Sequence, residues 1–463
     1  MCKVIVLIYL FSRERVFFMV SRIAALLWGK FDSSAELRKF FTLAGIFFLI
    51  IGTYWTLRPI KDSIFMSVVG KELLWGAKLV SLLAVGPLVM LYSKLLDIFH
   101  RHYVFYILVF AYALFALLFA WGFAHPEIGL PNAVASSSRL IGWAWYVYVE
   151  SFGSLVVALF WGITTDVTAP ESAKRGFPMI VLFGQLGNIF GPFFLNAKYL
   201  GLANSAPIIG ICGVLMILSG LGMWIFSVTT PKDQLQGFQD KDHKADEEAE
   251  PGFFEGLKLM VTRKYLLGIF GIIFFFEMIV TIIDYHFKVT VGNMFADEAT
   301  RSTILSEYAW KTGIVATLCV LLGINNIQRK LGMTVSLLTL PALVGLAILT
   351  IKFNPSSLNI ALWLMVFSKA VNYALNGPTL KQLYIPTTPE SKYKAQAWIE
   401  TFGSRASKGG ASVVNAFRST LGVSAFLTMS ALISFGLIGF WVMIALYVAK
   451  SYNTAIKEKK VVC

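Results

Sequence analysis

The sequence predicts an all-α membrane protein of twelve transmembrane helices in two six-helix halves, on three observations. Mean hydropathy is +0.70 with only 14% charged residues, where soluble domains carry about 25%. Apolar runs of the roughly 20 residues that a spanning helix needs recur from Phe40 to Tyr447. Finally, one phrase is written twice. "TAPESAKRGFPMIVLFGQLGNIFG", Thr168 to Gly191, and "TTPESKYKAQAWIETFGSRASKGG", Thr387 to Gly410, align without a gap at a constant shift of 219 residues. Thr168, Pro170, Glu171, Ser172, Ile180, Phe183, Gly184 and Gly191 find their like in Thr387, Pro389, Glu390, Ser391, Ile399, Phe402, Gly403 and Gly410.

The spans read in order as 40 to 57, 73 to 93, 103 to 124, 139 to 163, 177 to 197, 203 to 228, 265 to 287, 305 to 325, 331 to 351, 358 to 380, 394 to 417 and 423 to 449, with the fifth and eleventh the least apolar. The start, "MCKVIVLIYLFSRERVFFMV", has a short apolar core but no small-residue cleavage site, and is read as an upstream extension with Met19 the start. "PKDQLQGFQDKDHKADEEAEPGF", Pro231 to Phe253, is the one long polar segment and divides the spans six and six. It reads as a solvated linker. The expected divisions are an N-terminal cytoplasmic segment 1–39, bundles 40–228 and 265–450, a linker 229–264 and a cytoplasmic tail 451–463.

With both termini inside, fifteen lysines and arginines fall in inner loops against nine in outer ones, as the positive-inside bias requires. Among the nine, Arg58, Lys61 and Lys288 are assigned to helix ends. The duplicated phrase then stands at the same inner loop of each half, entering the fifth and the eleventh span. Two parallel six-span repeats about an axis along the membrane normal are a major-facilitator-like architecture.

The formal charge of +14 is scattered between apolar segments with no basic stripe, which excludes a nucleic-acid polymer as partner and points to an anionic solute. Cys2, Cys212, Cys319 and Cys463 have no paired spacing, so neither a disulfide framework nor a metal site follows. His100 and His102 form the only close histidine pair, and no HExxH or G-x-S-x-G is present, which argues against an enzyme. No cofactor is implied.

Charges inside spans cost roughly 2.5 to 3.5 kcal/mol each on insertion scales, so they need partners or a watery cavity. Glu150 is near the middle of the fourth span, Glu277 of the seventh and Lys369 of the tenth, while Lys78, Asp284 and Lys311 lie nearer span ends. Glu400, Ser404 and Lys408 recur every fourth residue and share one face of the eleventh helix, with Arg405 beside them. The glycines of that helix, Gly403, Gly409 and Gly410, are expected to allow close backbone approach. "GSRASKGG" lacks the order and the preceding strand of a phosphate loop. In "TLRPIKD", Arg58 and Lys61 are three apart on one face and Asp62 is four from Arg58; Pro59 is expected to interrupt the helix, leaving an anion port or two cations snorkelling to the interface.

At these residues the chain resembles the nucleotide transporter family of ATP/ADP translocases of obligate intracellular bacteria and plastids. "LRPIKD" is similar to the family's L-R-D-x-K-D. "VESFGSLVVALFWGITTDVTAPESAKRGFPMIVLFGQLGNIFGP" is similar to its E-x-x-x-S-x-x-x-x-x-F-W followed by aspartate and A-K-R-x-[FY]-P. Glu277 occupies its seventh-span glutamate, and "NGPTLKQLYIPTTPESKYKAQAWIE" resembles its P-x-K-E-x-x-Y-I-P segment. Two positions depart from the pattern: Pro59 stands where the family usually has aspartate, and Leu380 stands four before Tyr384 with the lysine one place later, at Lys381.

The resemblance implies a monomeric carrier in a bacterial cytoplasmic membrane that exchanges ATP for ADP by alternating access. The phosphates would be held between the halves by Lys61, Arg58, Lys381, Arg405 and Lys408, in that order of expectation. Glu150 and Glu277 would pair with these cations in the empty carrier or carry a coupling proton. A proton-coupled importer of nucleotides, or of another organic anion, is the alternative.

Overall fold

The computed structural model describes residues 31–231, 255–324, 326–388 and 395–462. The upstream extension with Met19, most of the polar linker, Pro389, Glu390 and Ser391 of the second phrase, and the inner-loop cations Lys392 and Lys394 lie outside the described residues.

Twelve long helices run through the described residues: α1 Ser34–Phe65, α2 Leu74–Ile98, α3 Arg101–Ala124, α4 Leu140–Asp166, α5 Pro170–Phe194, α6 Ala206–Thr229, α7 Lys264–Met294, α8 Glu298–Leu321, α9 Asn326–Phe353, α10 Leu358–Val371, α11 Gln396–Ala416 and α12 Arg418–Glu458. A π turn, Asn372–Asn376, carries α10 into a further helical stretch, Gly377–Gln382, and a short helix, Glu255–Thr262, precedes α7. Eleven of the twelve lie in stretches long and apolar enough to cross a membrane. The exception is α11, whose stretch carries Glu400, Arg405 and Lys408 and is too polar in composition.

The helix starts follow from local chemistry. Ser33 caps α1, its hydroxyl accepting from the Glu36 amide at 3.0 Å, with Glu36 in the first turn where the helix dipole favours a carboxylate. The first copy of the duplicated phrase is itself a start signal, with Pro170 at the first helical position and Glu171 in the first turn. One expectation fails here. α1 does not break at Pro59 but runs through it and gives way later, at the π turn Met66–Gly70, where Gly70 has φ 127. Proline removes a single N–H, which neighbouring helices tolerate inside a bundle, whereas positive φ favours glycine.

The packing repeats with the sequence. α1 lies against α4, α5 and α6, α2 against α4, and α3 against α4 and α6; likewise α7 lies against α10, α11 and α12, α8 against α10, and α9 against α10 and α12. The halves meet through α5 with α8 and, equivalently, α2 with α11, and through α1 with α8. This is the major-facilitator-like arrangement that the doubled phrase predicts. An even number of spans brings the start of α1 and the end of α12 to one face, here called the near face.

Candidate functional site

Between the halves lies a cavity of about 470 Å³ lined from α1, α2, α4, α7, α10 and α11. Seven cations line it, Arg58, Lys61, Lys78, Lys288, Lys369, Arg405 and Lys408, with three carboxylates, Glu150, Glu277 and Asp284. Helical periodicity accounts for the grouping. Arg58 and Lys61 are one turn apart on α1, Asp284 and Lys288 one turn apart on α7, and Ser404 and Lys408 one turn apart on α11.

Three of the cations are neutralised. The Lys61 ammonium donates to a Glu150 carboxylate oxygen, joining α1 to α4, and sits 4.0 Å from the Tyr146 ring centre. Lys288 bridges Asp284 and Asp62, at 2.7 Å to each, and so ties α7 to α1 across the two halves. Lys78 on α2 reaches the same Asp284 oxygen at 3.4 Å. Arg58, Lys369, Arg405 and Lys408 have no carboxylate within salt-bridge distance among the described residues, and neither has Glu277 a cation. Among the described residues, four cations without an ion pair against one such carboxylate leave the cavity lining with three unbalanced positive charges. A surplus of that kind converging on one cavity is a site for a multiply charged anion.

The candidates therefore separate. Arg58, Lys61, Glu150, Glu277, Arg405 and Lys408 all line the cavity. Lys381 does not: it lies exposed in the stretch Gly377–Gln382 at the near end of α10. The side chain of Glu400 lies outside the described residues. Arg58, Lys61 and Lys288, assigned to helix ends, are instead inside α1 and α7; Lys61 is 3% exposed and Lys288 12%. Asp62, Lys78, Asp284, Lys288 and Lys369 belong to the site and were not among its predicted residues. Their signal was present in the i,i+4 spacing of Asp284 and Lys288, an ion pair on one helix face.

A side pocket opens off the cavity, lined by Trp55, Pro59, Tyr308 and Tyr373 together with Arg58 and other residues the two share. The Arg58 guanidinium covers the Trp55 ring, 4.8 Å from its centre.

Away from the near face the halves are sealed by hydrogen bonds. Ser205, between α5 and α6, donates from its amide and hydroxyl to the Glu298 carboxylate at 2.8 and 2.9 Å. Ser63 donates to the Glu298 carbonyl at 3.0 Å, Thr303 to Asn196 at 3.1 Å, and Arg301 to the Ser67 hydroxyl. The neutral bonds net about 0.5–1.5 kcal/mol each and those to the Glu298 carboxylate or from Arg301 about 1.5–3 kcal/mol.

The glycines of α11 do not make the close backbone approach expected of them. A Cβ at Gly403, Gly409 or Gly410 would meet only side-chain atoms, at 3.4, 3.3 and 3.7 Å.

The chain matches the family described as TLC ATP/ADP transporter over residues 18–356 and 346–452. Its relatives include ADP,ATP carrier protein 1 of Rickettsia bellii (strain RML369-C), 26% identical over 430 residues that cover 82% of this chain and 85% of the relative. They also include the chloroplastic ADP,ATP carrier protein 2 of Arabidopsis thaliana, 24% identical over 478 residues, covering 92% and 76%. Among solved structures, a bacterial homologue of the iron transporter ferroportin in an inward-facing state aligns with TM-score 0.63 at 12% identity, covering 89% of this chain and 99% of that one. The nucleoside transporter NupG aligns with TM-score 0.59 at 14% identity, covering 90% and 98%. The structural likenesses establish the fold, and the match along most of the sequence establishes the kinship: this multi-pass membrane protein belongs to the TLC ATP/ADP transporter family.

Proposed function

We propose that the chain carries nucleotides across a bacterial cytoplasmic membrane, exchanging ATP for ADP, with the near face cytoplasmic and the central cavity as the binding site. The observation that carries this reading is the set of cations without carboxylate partners among the described residues. Arg58 on α1, Lys369 on α10 and Arg405 and Lys408 on α11 converge from both halves on one cavity. A polyphosphate supplies the several negative charges they lack, with Arg58 and Arg405 suited to bidentate contact and the lysines to point-charge contact. Lys61 and Lys288 take a different role, because their charges are spent on Glu150, Asp62 and Asp284. They hold α1, α4 and α7 in register until phosphate competes for them.

Transport follows from rocking one bundle against the other about the filled cavity. The seal of Ser63, Ser205 and Glu298 parts as the near face closes. Exchange of external ATP for internal ADP moves one extra negative charge inward, costing about 2.3 kcal/mol per 100 mV of inside-negative potential, so the nucleotide gradients must exceed it.

One observation favours a second reading, proton-coupled import. Glu277 lines the cavity with no ion-pair partner among the described residues, whereas Glu150 is held by Lys61. Of the two glutamates, only Glu277 is without a cation partner among the described residues. Uptake of radiolabelled ATP by cells expressing the chain, followed by a chase with unlabelled ADP, separates the readings. Rapid efflux on the chase is the result expected of exchange. Retention of label, with uptake abolished by an uncoupler, would replace exchange by symport, and no uptake of any nucleotide by chain confirmed in the membrane would overturn both.

A further inference from the structure

The central cavity accounts for phosphates but not for the rest of a nucleotide. Resting on the nucleotide reading, we propose that the side pocket takes the nucleobase, and that the base enters by displacing Arg58 from the face of Trp55.

The side pocket is built from both halves, Trp55 and Pro59 from α1, Tyr308 and Thr312 from α8, and Tyr373 from the π turn after α10. A π turn inserts an extra residue into a helix and re-aims a side chain, which is why such turns gather at functional sites. Here it delivers an aromatic ring, 42% exposed, to the junction between pocket and cavity. Three aromatic rings around a space next to a cationic cavity are what stacking on a heterocycle requires, since every base has a π face.

The polar groups fit the same ligand. The hydroxyls of Tyr308 and Tyr373 make no hydrogen bond among the described residues, and each can donate or accept. The Thr312 hydroxyl donates to the Tyr308 carbonyl at 2.7 Å and keeps its acceptor side. Rotatable hydroxyls satisfy ring nitrogens and exocyclic amines without imposing one pattern, so the pocket recognises a planar heterocycle and discriminates weakly between bases.

The pocket as it stands offers about 30 Å³, room for one water and not for a base. The face of the Trp55 ring is covered by the Arg58 guanidinium, 4.8 Å from its centre. Arg58 lines both pocket and cavity. A triphosphate in the cavity draws Arg58 off the tryptophan, and the base takes the ring face that it vacates. One arginine thereby couples recognition of the two ends of the substrate. A phosphate compound without a base would engage Arg58 but leave Trp55 bare.

The test compares ATP with inorganic tripolyphosphate, each measured by displacement of labelled ATP from the purified full chain in lipid nanodiscs. Trp55→Leu is expected to weaken ATP binding about tenfold, the loss of one stacked base, while tripolyphosphate binds within about twofold of wild type; Trp55→Phe, which keeps a ring, restores most of the difference. Tyr373→Leu, at an exposed position whose truncation spares the core, should show the same split and serves if Trp55→Leu does not assemble. Unchanged ATP affinity in these variants, or an equal loss for both ligands, would overturn the base pocket while leaving the nucleotide reading standing. A wild-type chain that binds no labelled ATP, or from which tripolyphosphate but neither unlabelled ATP nor ADP displaces the label, would overturn the nucleotide reading, and the pocket with it.

Discussion

α5 and α11 grow from the same phrase and occupy equivalent places in the two halves, yet they have parted in purpose. Two of the four α5 glycines, Gly187 and Gly191, face backbone, while Gly176 and Gly184 face the rings of Phe40 and Phe47. A Cβ at Gly187 would lie 2.5 Å from the Phe48 carbonyl oxygen, and one at Gly191 2.4 Å from that of Gly52, so α5 is locked onto α1 at a distance no side chain permits. On α11 the counterpart of Gly191 is Gly410, whose nearest neighbour is the flexible end of Met278 at 3.7 Å. The reverse holds for charge. Shifted by 219 residues, Arg405 and Lys408 correspond to Leu186 and Ile189; the former pair lines the cavity, while Ile189 packs on Gly313 of α8 at the junction of the halves. Duplication supplied two copies of one scaffold helix, and the lesson is that one was spent on rigidity and the other on the solute.

That contrast can be broken most severely at the charges. Arg405→Gln with Lys408→Gln should cut ATP uptake by about 100-fold or more, two charge-assisted contacts at about 1.5–3 kcal/mol each, with the amount of protein in the membrane unchanged by immunoblot. Near-normal uptake would mean that α11 is no more functional than α5. Next in size is Ile189→Lys, which writes the α11 residue into α5. A lysine there has no cavity to enter and should cost about 2.5–3.5 kcal/mol, read as lost folded protein on fluorescence-detected size exclusion.

Smaller still is Gly187→Ala. Overpacking of about 1–3 kcal/mol should lower the Tm of the detergent-purified protein by several degrees, and an unchanged Tm would show that the α1–α5 lock is looser than its geometry. Last comes Gly410→Ala, expected to stay within about 0.5 kcal/mol of wild type in the same melt. A large loss there would place α11 under the same packing constraint as α5.

Much of this was legible in the chain before folding. Hydropathy and length are properties of contiguous residues, so the spans were readable to within a turn or so at most ends, and the doubled phrase announced the two halves. The 3.6-residue period put Ser404 and Lys408 on one face and Arg58 beside Lys61. Misreadings arose where the answer depended on a distant partner. Lys288 looked like an end-of-helix cation because its neighbour Asp62 is on another helix and in the other half. Pro59 looked like a break because the bundle that tolerates it was not visible.

The sequence by itself determined the membrane setting, the twelve spans, the repeat and the stock of buried charge, because each is encoded in composition or in short-range periodicity. Only the tertiary structure decided which of those charges are spent. Glu150 cancels Lys61 across 89 residues of chain, and Asp284 is shared between Lys78 and Lys288, while Arg58, Lys369, Arg405 and Lys408 are left facing the cavity. The physical reason is that Coulomb attraction depends on distance through space and on the exclusion of water, and neither is set until the helices have packed.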